Sequence, residues 1–199
     1  TGCINKNVKE QSEFEMNKAT SPELLPPVFE DEIQLYIQDM SPEQKIGQLL
    51  MPAFRQSAYG VEVERYIDAM ETVIKQYHIG GVVLFKENIK TKNQVQELIH
   101  QLQKSSDIGL FIAVDEEGGL VSRISSNPEM GYRPIPSAME IGKTQDKELA
   151  YNTGKELANM LVELGLNMNF APVVDIWSNP NNTVIGSRSF GTSAEIVTD

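Results

Sequence analysis

Five consecutive apolar residues, Leu110-Phe111-Ile112-Ala113-Val114, run without interruption into three carboxylates, Asp115-Glu116-Glu117, and then into Gly118-Gly119. An apolar run of this length, with β-branched and aromatic members, predicts a strand buried on both faces. Such strands belong to parallel sheets covered by helices. Acids at their C-terminal ends then face the side on which α/β proteins bind ligands. The two glycines predict backbone that comes close to a ligand where a Cβ would obstruct it. Arg123 follows eight residues after Asp115. Taken alone, the stretch reads equally as a plain βα turn with solvated acids.

The alternation recurs along the chain. Ser41-Pro42-Glu43-Gln44 signals the start of a short helix, which leads into a first candidate strand at Gly47–Phe54. Val61–His78 carries apolar residues at helical spacing and ends on Gly80-Gly81. Gly81–Phe85 is the second strand and Lys86-Glu87-Asn88 its polar loop. Thr91 caps a helix whose apolar stripe is Val95, Leu98, Ile99 and Leu102, and Leu110–Asp115 is the third strand. Prolines at 128, 134 and 136 forbid a continuous helix, so Arg123–Thr144 reads as a long loop with a short turn near Ser137–Ile141. Asp146–Leu164 is a helix ended by Gly165, and Asn167–Asp175 is a fourth strand that again ends in an acid. Val184–Gly191 forms an ordered loop around Arg188, and another helix starts near Ser193. Four β-α units predict a parallel sheet with helices outside. A (β/α)8 barrel typically takes about 250 residues, and about 170 follow residue 28. Periodicity leaves a partial barrel and a small doubly wound sheet as alternatives.

The formal net charge of −11 opposes a nucleic-acid partner. No apolar run reaches the length of about 18 residues expected of a membrane span. The single cysteine allows no internal disulfide. Thr1-Gly2-Cys3 precedes a polar stretch and resembles the end of a bacterial lipoprotein signal whose apolar part is absent. On that reading Cys3 carries a lipid, residues 1–28 form a flexible tether, and residues 29–199 form the domain. The protein would then be extracytoplasmic, meeting the membrane only through its anchor. The alternative is an unmodified cysteine in a polar tail.

A parallel sheet collects the C-terminal ends of its strands on one side, here Arg55, Lys86, Glu87, Asn88, Asp115, Glu116, Glu117, Arg123, Asp175 and Arg188. Carboxylates accept from sugar hydroxyls and guanidiniums donate in a fixed fork, so the mixture suits a neutral polyhydroxyl ligand. Structural roles compete: Asp115 as a helix cap, Arg123 paired with Glu116 or Glu117, Asp175 as a loop cap. His78 and His100 fall at a helix end and on a helix flank. They make no metal spacing with each other or with Cys3. There is no GxGxxG after the first strand, no phosphate loop and no GxSxG elbow, so neither cofactor nor metal is predicted. The acids do not by themselves identify a glycosidase pair.

Five segments, in order, resemble the N-terminal domain of glycoside hydrolase family 3. They are Ile46-Gly47-Gln48-Leu49-Leu50-Met51, Ile79-Gly80-Gly81-Val82-Val83-Leu84-Phe85, Ala113-Val114-Asp115-Glu116-Glu117-Gly118-Gly119 with Arg123, Asn169-Phe170-Ala171-Pro172-Val173-Val174-Asp175, and Val184-Ile185-Gly186-Ser187-Arg188-Ser189-Phe190. The bacterial β-N-acetylhexosaminidase branch is the most similar. The resemblance implies a (β/α)8 barrel with about the first four β-α units in this chain. It also implies retaining exo-hydrolysis of terminal β-linked N-acetylhexosamine, as in peptidoglycan fragments. Asp115 falls at the family's hydroxyl-binding carboxylate, and Arg123 and Arg188 at its sugar-binding arginines. The family continues with a Lys-His pair, an acid/base His and an Asp nucleophile, none of which is assigned in this sequence. The resemblance therefore implies a substrate-binding half that is inactive alone and lacks its C-terminal partner half. A tethered, non-cleaving sugar-binding fragment and a β-glucosidase-type specificity are the competing readings.

Overall fold

The structure, a computed structural model, describes residues 27–198, with side chains from residue 31 onward. Cys3 and most of the expected tether lie outside the described residues. Two compact units are present, one ending at Met40 and one beginning at Ser41. In the first, α1 (Pro27–Asp39) leaves Ile33, Leu35, Tyr36 and Ile37 exposed.

The second unit opens with α2 (Pro42–Gly47). Ser41 Oγ accepts the Gln44 N–H at 3.2 Å, and Gln44 Oε1 accepts the Ser41 N–H at 2.8 Å. This reciprocal box satisfies two N–H groups that the helix cannot satisfy itself, and Pro42 sits where its missing N–H costs nothing. α3 (Asp68–Tyr77), β1 (Gly81–Leu84), α4 (Lys92–Lys104) and β2 (Phe111–Val114) follow. α4 starts on a second such box, Thr91 with Gln94. After β2 come a 3-10 turn at Pro128–Met130, α5 (Ala138–Thr144), α6 (Lys147–Leu164), β3 (Met168–Asn169) and α7 (Ala194–Thr198). The expected turn near Ser137 is a helix of seven residues, because Ser137 and Glu140 build a third capping box. Asp146 caps α6 and Gly165 ends it in the left-handed region at φ 90°.

The three strands form one parallel sheet in the order β1-β2-β3. Val82, Val95, Leu102, Ile112, Val114, Ile124 and Met130 are fully buried at its centre, with Met160, Leu161 and Leu164 of α6 in the same core. Each large aliphatic side chain buried in this way contributes about 1.5–3 kcal/mol. That is why the stripe Val95, Leu98, Ile99, Leu102 fixes which face of α4 turns inward.

Four expectations change. Gly47–Phe54 does not form a named strand. Its carbonyls at Leu50 and Pro52 accept the N–H groups of Gly81 (3.3 Å) and Val83 (3.0 Å), so it lies along β1. Pro52 has no N–H to return, and the ladder stays incomplete. Val61–Ile67 is not helical either. The chain doubles back through Gly60 at φ 74°, pairing Gln56 with Glu62, and α3 begins only at Asp68. Phe111, expected to be buried, is exposed at the start of β2, while Ile112, Ala113 and Val114 are fully covered.

β3 is far shorter than the expected Asn167–Asp175, and two asparagines lengthen its hold on β2. Asn167 Oδ1 accepts the Ile112 N–H at 2.7 Å and its Nδ2 donates to the Leu110 carbonyl at 2.9 Å. Asn169 repeats the pattern two residues on, accepting the Glu116 N–H at 3.1 Å and donating to the Glu116 carbonyl at 3.0 Å. Met168 stands between them.

Candidate functional site

Phe85 and Glu87 follow β1 and Asp115 follows β2, and three arginines reach this end of the sheet: Arg55 from the segment before α3, Arg123 from the loop after β2 and Arg188 from beyond β3. Asp115 is the first residue beyond β2, and its Oδ2 lies 3.8 Å from Nη2 of Arg123. Both side chains are part-exposed, 29% for Asp115 and 23% for Arg123, so the pair is open to a ligand. The guanidinium of Arg123 stands 6.0 Å from the Phe85 ring centre, and that of Arg55 stands 4.8 Å from it. Arg55 Nη2 donates to Glu87 Oε1 at 2.5 Å. That hydrogen bond holds the buried Glu87 carboxyl below its ordinary range against the upward push of desolvation, and it raises Arg55 in turn.

Arg188 is reached from the far end of the chain. Its Nε and Nη2 donate to the two oxygens of Glu117 at 2.9 and 2.8 Å, and Nη1 donates to the Val184 carbonyl at 3.2 Å. The Glu117 hydrogen bonds raise the Arg188 pKa; Asp115 and Asp175 add to the shift, which places Arg188 within their field. Asp115, Arg123 and Arg188 thus lie at the same end of the sheet.

The three successive acids divide their work. Asp115 stays part-exposed beside Arg123, and Glu117 holds Arg188. Glu116 turns inward and is completely buried, accepting from Ser122, Arg123, Ile124 and Ser125. Arg123 therefore pairs with neither Glu116 nor Glu117 through its side chain; its guanidinium goes to Asp115. The glycines also have a different task from the one expected. Gly118 (φ 84°) and Gly119 (φ 58°) make room for another part of the chain: a Cβ on Gly119 would sit 2.6 Å from Ser137 Cβ, and one on Gly118 would sit 2.8 Å from Ile135 Cγ2. The Gly119 N–H donates to the Ile135 carbonyl at 3.0 Å.

Of the remaining candidates, Asn88 is buried and structural. Its Nδ2 donates to the carbonyls of Phe54 and Val63, both at 2.8 Å, and its Oδ1 accepts the Phe85 N–H. Lys86 and Asp175 are exposed; the Asp175 carbonyl accepts from Ser189 Oγ. His78 is the left-handed C-cap of α3, and His100 is exposed on α4. The Arg55–Glu87 pair and the inward turn of Glu116 had no sequence signal of their own. Ser122 and Ser125 flanking Arg123 are the one hint, since paired hydroxyls near an acid often receive it. Among the described residues no three His, Cys, Asp or Glu side chains converge as a metal site. A separate cavity of about 420 Å³, lined mainly by apolar residues of α6, β3 and Phe190, meets Glu117 and Arg188 but not Asp115 or Arg123. It is the uncovered flank of α6, and its lining does not suit a polyhydroxyl ligand.

Residues 41–199 match the model of the glycosyl hydrolase family 3 N-terminal domain. The chain belongs to glycoside hydrolase family 3. Within this family it is 39% identical over 137 residues to beta-hexosaminidase A of Pseudoalteromonas piscicida, covering 65% of this chain and 22% of that protein. It is 32% identical over 161 residues to beta-hexosaminidase LpqI of Mycobacterium tuberculosis, covering 80% of this chain and 37% of that one. Among solved structures, a family 3 β-N-acetylglucosaminidase from Paenibacillus superposes with a TM-score of 0.71 at 37% identity, over 79% of this chain and 29% of its own. NagZ of Neisseria gonorrhoeae superposes at 0.61 and 29% identity, over 74% and 43%. The chain thus spans well under half the length of these relatives. Its parallel sheet and flanking helices are part of the family's (β/α)8 barrel domain, and the doubly wound alternative falls away.

Proposed function

We propose that this chain supplies the sugar-binding part of a retaining, exo-acting β-N-acetylhexosaminidase. The observation that carries the reading is the open Asp115–Arg123 pair at the end of β2, with Arg188 fixed beside it by Glu117. Asp115 accepts from ring hydroxyls, and the two guanidiniums donate to hydroxyl and acetamido oxygens. The names of the relatives support this class of substrate. The ligand is a terminal, β-linked N-acetylhexosamine of the kind that peptidoglycan fragments carry, and no cofactor takes part. Residues 1–199 bind the sugar without cleaving it, because the family's acid/base and nucleophile come from motifs that these residues do not supply. Cys3 anchors the protein outside the cytoplasm through a lipid. No helix among the described residues is long and apolar enough to cross a membrane.

The test is hydrolysis of an aryl N-acetyl-β-glucosaminide by the complete protein and by residues 1–199 separately, with the product anomer read by NMR. The expected result is cleavage with retention by the complete protein alone. Inversion, or preference for an aryl β-glucoside, overturns the assigned chemistry, and turnover by residues 1–199 overturns the division of labour.

A further inference from the structure

Glu116 is a carboxylate with no exposure to solvent, yet among the described residues no cation holds it in an ion pair. Five hydrogen bonds hold it instead. Oε1 accepts from Ser122 Oγ (2.6 Å), Ser125 Oγ (2.7 Å) and the Ser125 N–H (3.1 Å), and Oε2 accepts from the N–H groups of Arg123 and Ile124, both at 2.7 Å. Three of these contacts are backbone N–H groups, which can only donate, and a carboxylate meets them with acceptor oxygens. The backbone of Glu116 is itself clamped to β3 by Asn169. The loop that leaves β2 is therefore tied back, at Arg123, to the second residue after that strand.

Arg123 shows what the tie achieves. Its N–H is held by Glu116, its guanidinium returns to Asp115, the residue before Glu116, and it stands beside the Phe85 ring. Its Nε is buried and has no acceptor. Buried donors are ordinarily satisfied. With its backbone held by Glu116 and its part-exposed guanidinium beside the part-exposed Asp115, Arg123 keeps hydrogen-bonding capacity that a ligand at Asp115 can use.

We propose that Glu116 is a positioning residue for sugar binding, holding the backbone of Arg123 so that its guanidinium meets the ligand at Asp115. The inference rests on the sugar-binding reading of Asp115 and Arg123, and adds to it a residue that never touches the ligand. Glutamine at 116 keeps the volume but turns an NH2 group against N–H and O–H donors, so the tie fails locally.

The test is a double-mutant cycle in the complete protein with Glu116→Gln, Arg123→Ala and the pair, measuring kcat, KM and thermal unfolding, together with a crystal structure of Glu116→Gln. The expected outcome is at least a tenfold loss of kcat/KM in each single variant, little further loss in the double variant, and Arg123 displaced from Asp115 in the crystal. Losses that multiply in the double variant, or a Glu116→Gln protein that unfolds earlier with unchanged kcat/KM and an unmoved Arg123, would overturn the proposal. If the unaltered protein cleaves no amino sugar, the functional reading fails and the crystal structure alone decides the positioning role: Arg123 in place refutes it, Arg123 displaced upholds it.

Discussion

Glu117 grips Arg188 with both carboxylate oxygens, at 2.9 and 2.8 Å, across 71 residues of chain. The Glu117 side chain is 6% exposed and the Arg188 side chain 27%. A fork of this kind fixes the plane of the guanidinium as well as its distance, and lysine could not replace it. Removing Glu117 leaves a part-buried cation without its partner. Glu117→Ala is expected to cost about 2–4 kcal/mol of stability and to weaken sugar binding, while Arg188→Lys weakens binding with the fold largely kept. Urea unfolding and KM on the same two variants check this. Equal binding by Glu117→Ala would show that Arg188 finds its place without help.

Asp115 has a different balance. Its side chain lies at the mouth, and the described contacts give it one long ion pair, so the fold owes it little. Asp115→Ala is expected to lose about 3 kcal/mol of transition-state stabilisation, or roughly a hundredfold in kcat/KM, with a midpoint of unfolding close to that of the parent. A destabilised but fully active variant would make Asp115 a cap, not a ligand.

Gly119 tests the packing of the loop. Alanine there meets both a backbone at φ 58° and the Cβ of Ser137. A stability loss of about 1–3 kcal/mol is expected, read as a lower urea midpoint at unchanged slope. No loss would mean that the Ile135–Ser137 segment moves aside freely.

The Glu87 carboxyl has a folded pKa below its ordinary value of 4.5, because Arg55 donates to it. A depressed pKa stabilises the folded state fully above the unfolded value, and that contribution disappears as pH falls through the folded value. Glu87→Gln should therefore differ from the parent by a constant amount above about pH 6, and the gap should close below pH 4.5. Glu140 and Glu163 are lowered as well and contribute to acid loss in both proteins alike. Parallel stability curves down to pH 3 or so would remove Glu87 from the account.

Cys3 calls for a cellular measurement. Expressed in a bacterial host behind a signal peptide, the protein is expected in the detergent phase and its Cys3→Ser variant in the aqueous phase. Unchanged partitioning would leave Cys3 an ordinary thiol.

Where one force dominated, sequence and structure agree. The apolar runs at Val82–Leu84 and Ile112–Val114 and the stripe of α4 are driven by burial alone, and Thr91, Ser41 and Asp146 announce their helices through local hydrogen bonds. Reading failed where a missing or distant group decided the outcome. Pro52 removed one N–H from an otherwise strand-like segment, and Gly60 turned a helical-looking pattern into a hairpin. At the site, the motifs could point to Asp115, Arg123 and Arg188 as candidates. The assignment of one acid to each task could not be read, because an inward and an outward glutamate look alike until the folded chain closes two serines and three backbone N–H groups around one of them.

The asparagines that flank Met168 have a consequence for accuracy of assembly. Asn167 takes the Ile112 N–H of β2 and the Leu110 carbonyl just before it, and Asn169 takes both backbone groups of Glu116 just past it, so the pair works as a two-toothed key with a defined polarity. A shift of β3 by one residue would turn Met168 to the opposite face and set both keys against apolar side chains. A strand of two residues has too few ladder bonds to resist that error alone. The two side-chain amides thus add to the ladder bonds, the α6 core and the Glu117–Arg188 fork in setting the register of β3, and aspartate at either position would misread the carbonyl it faces.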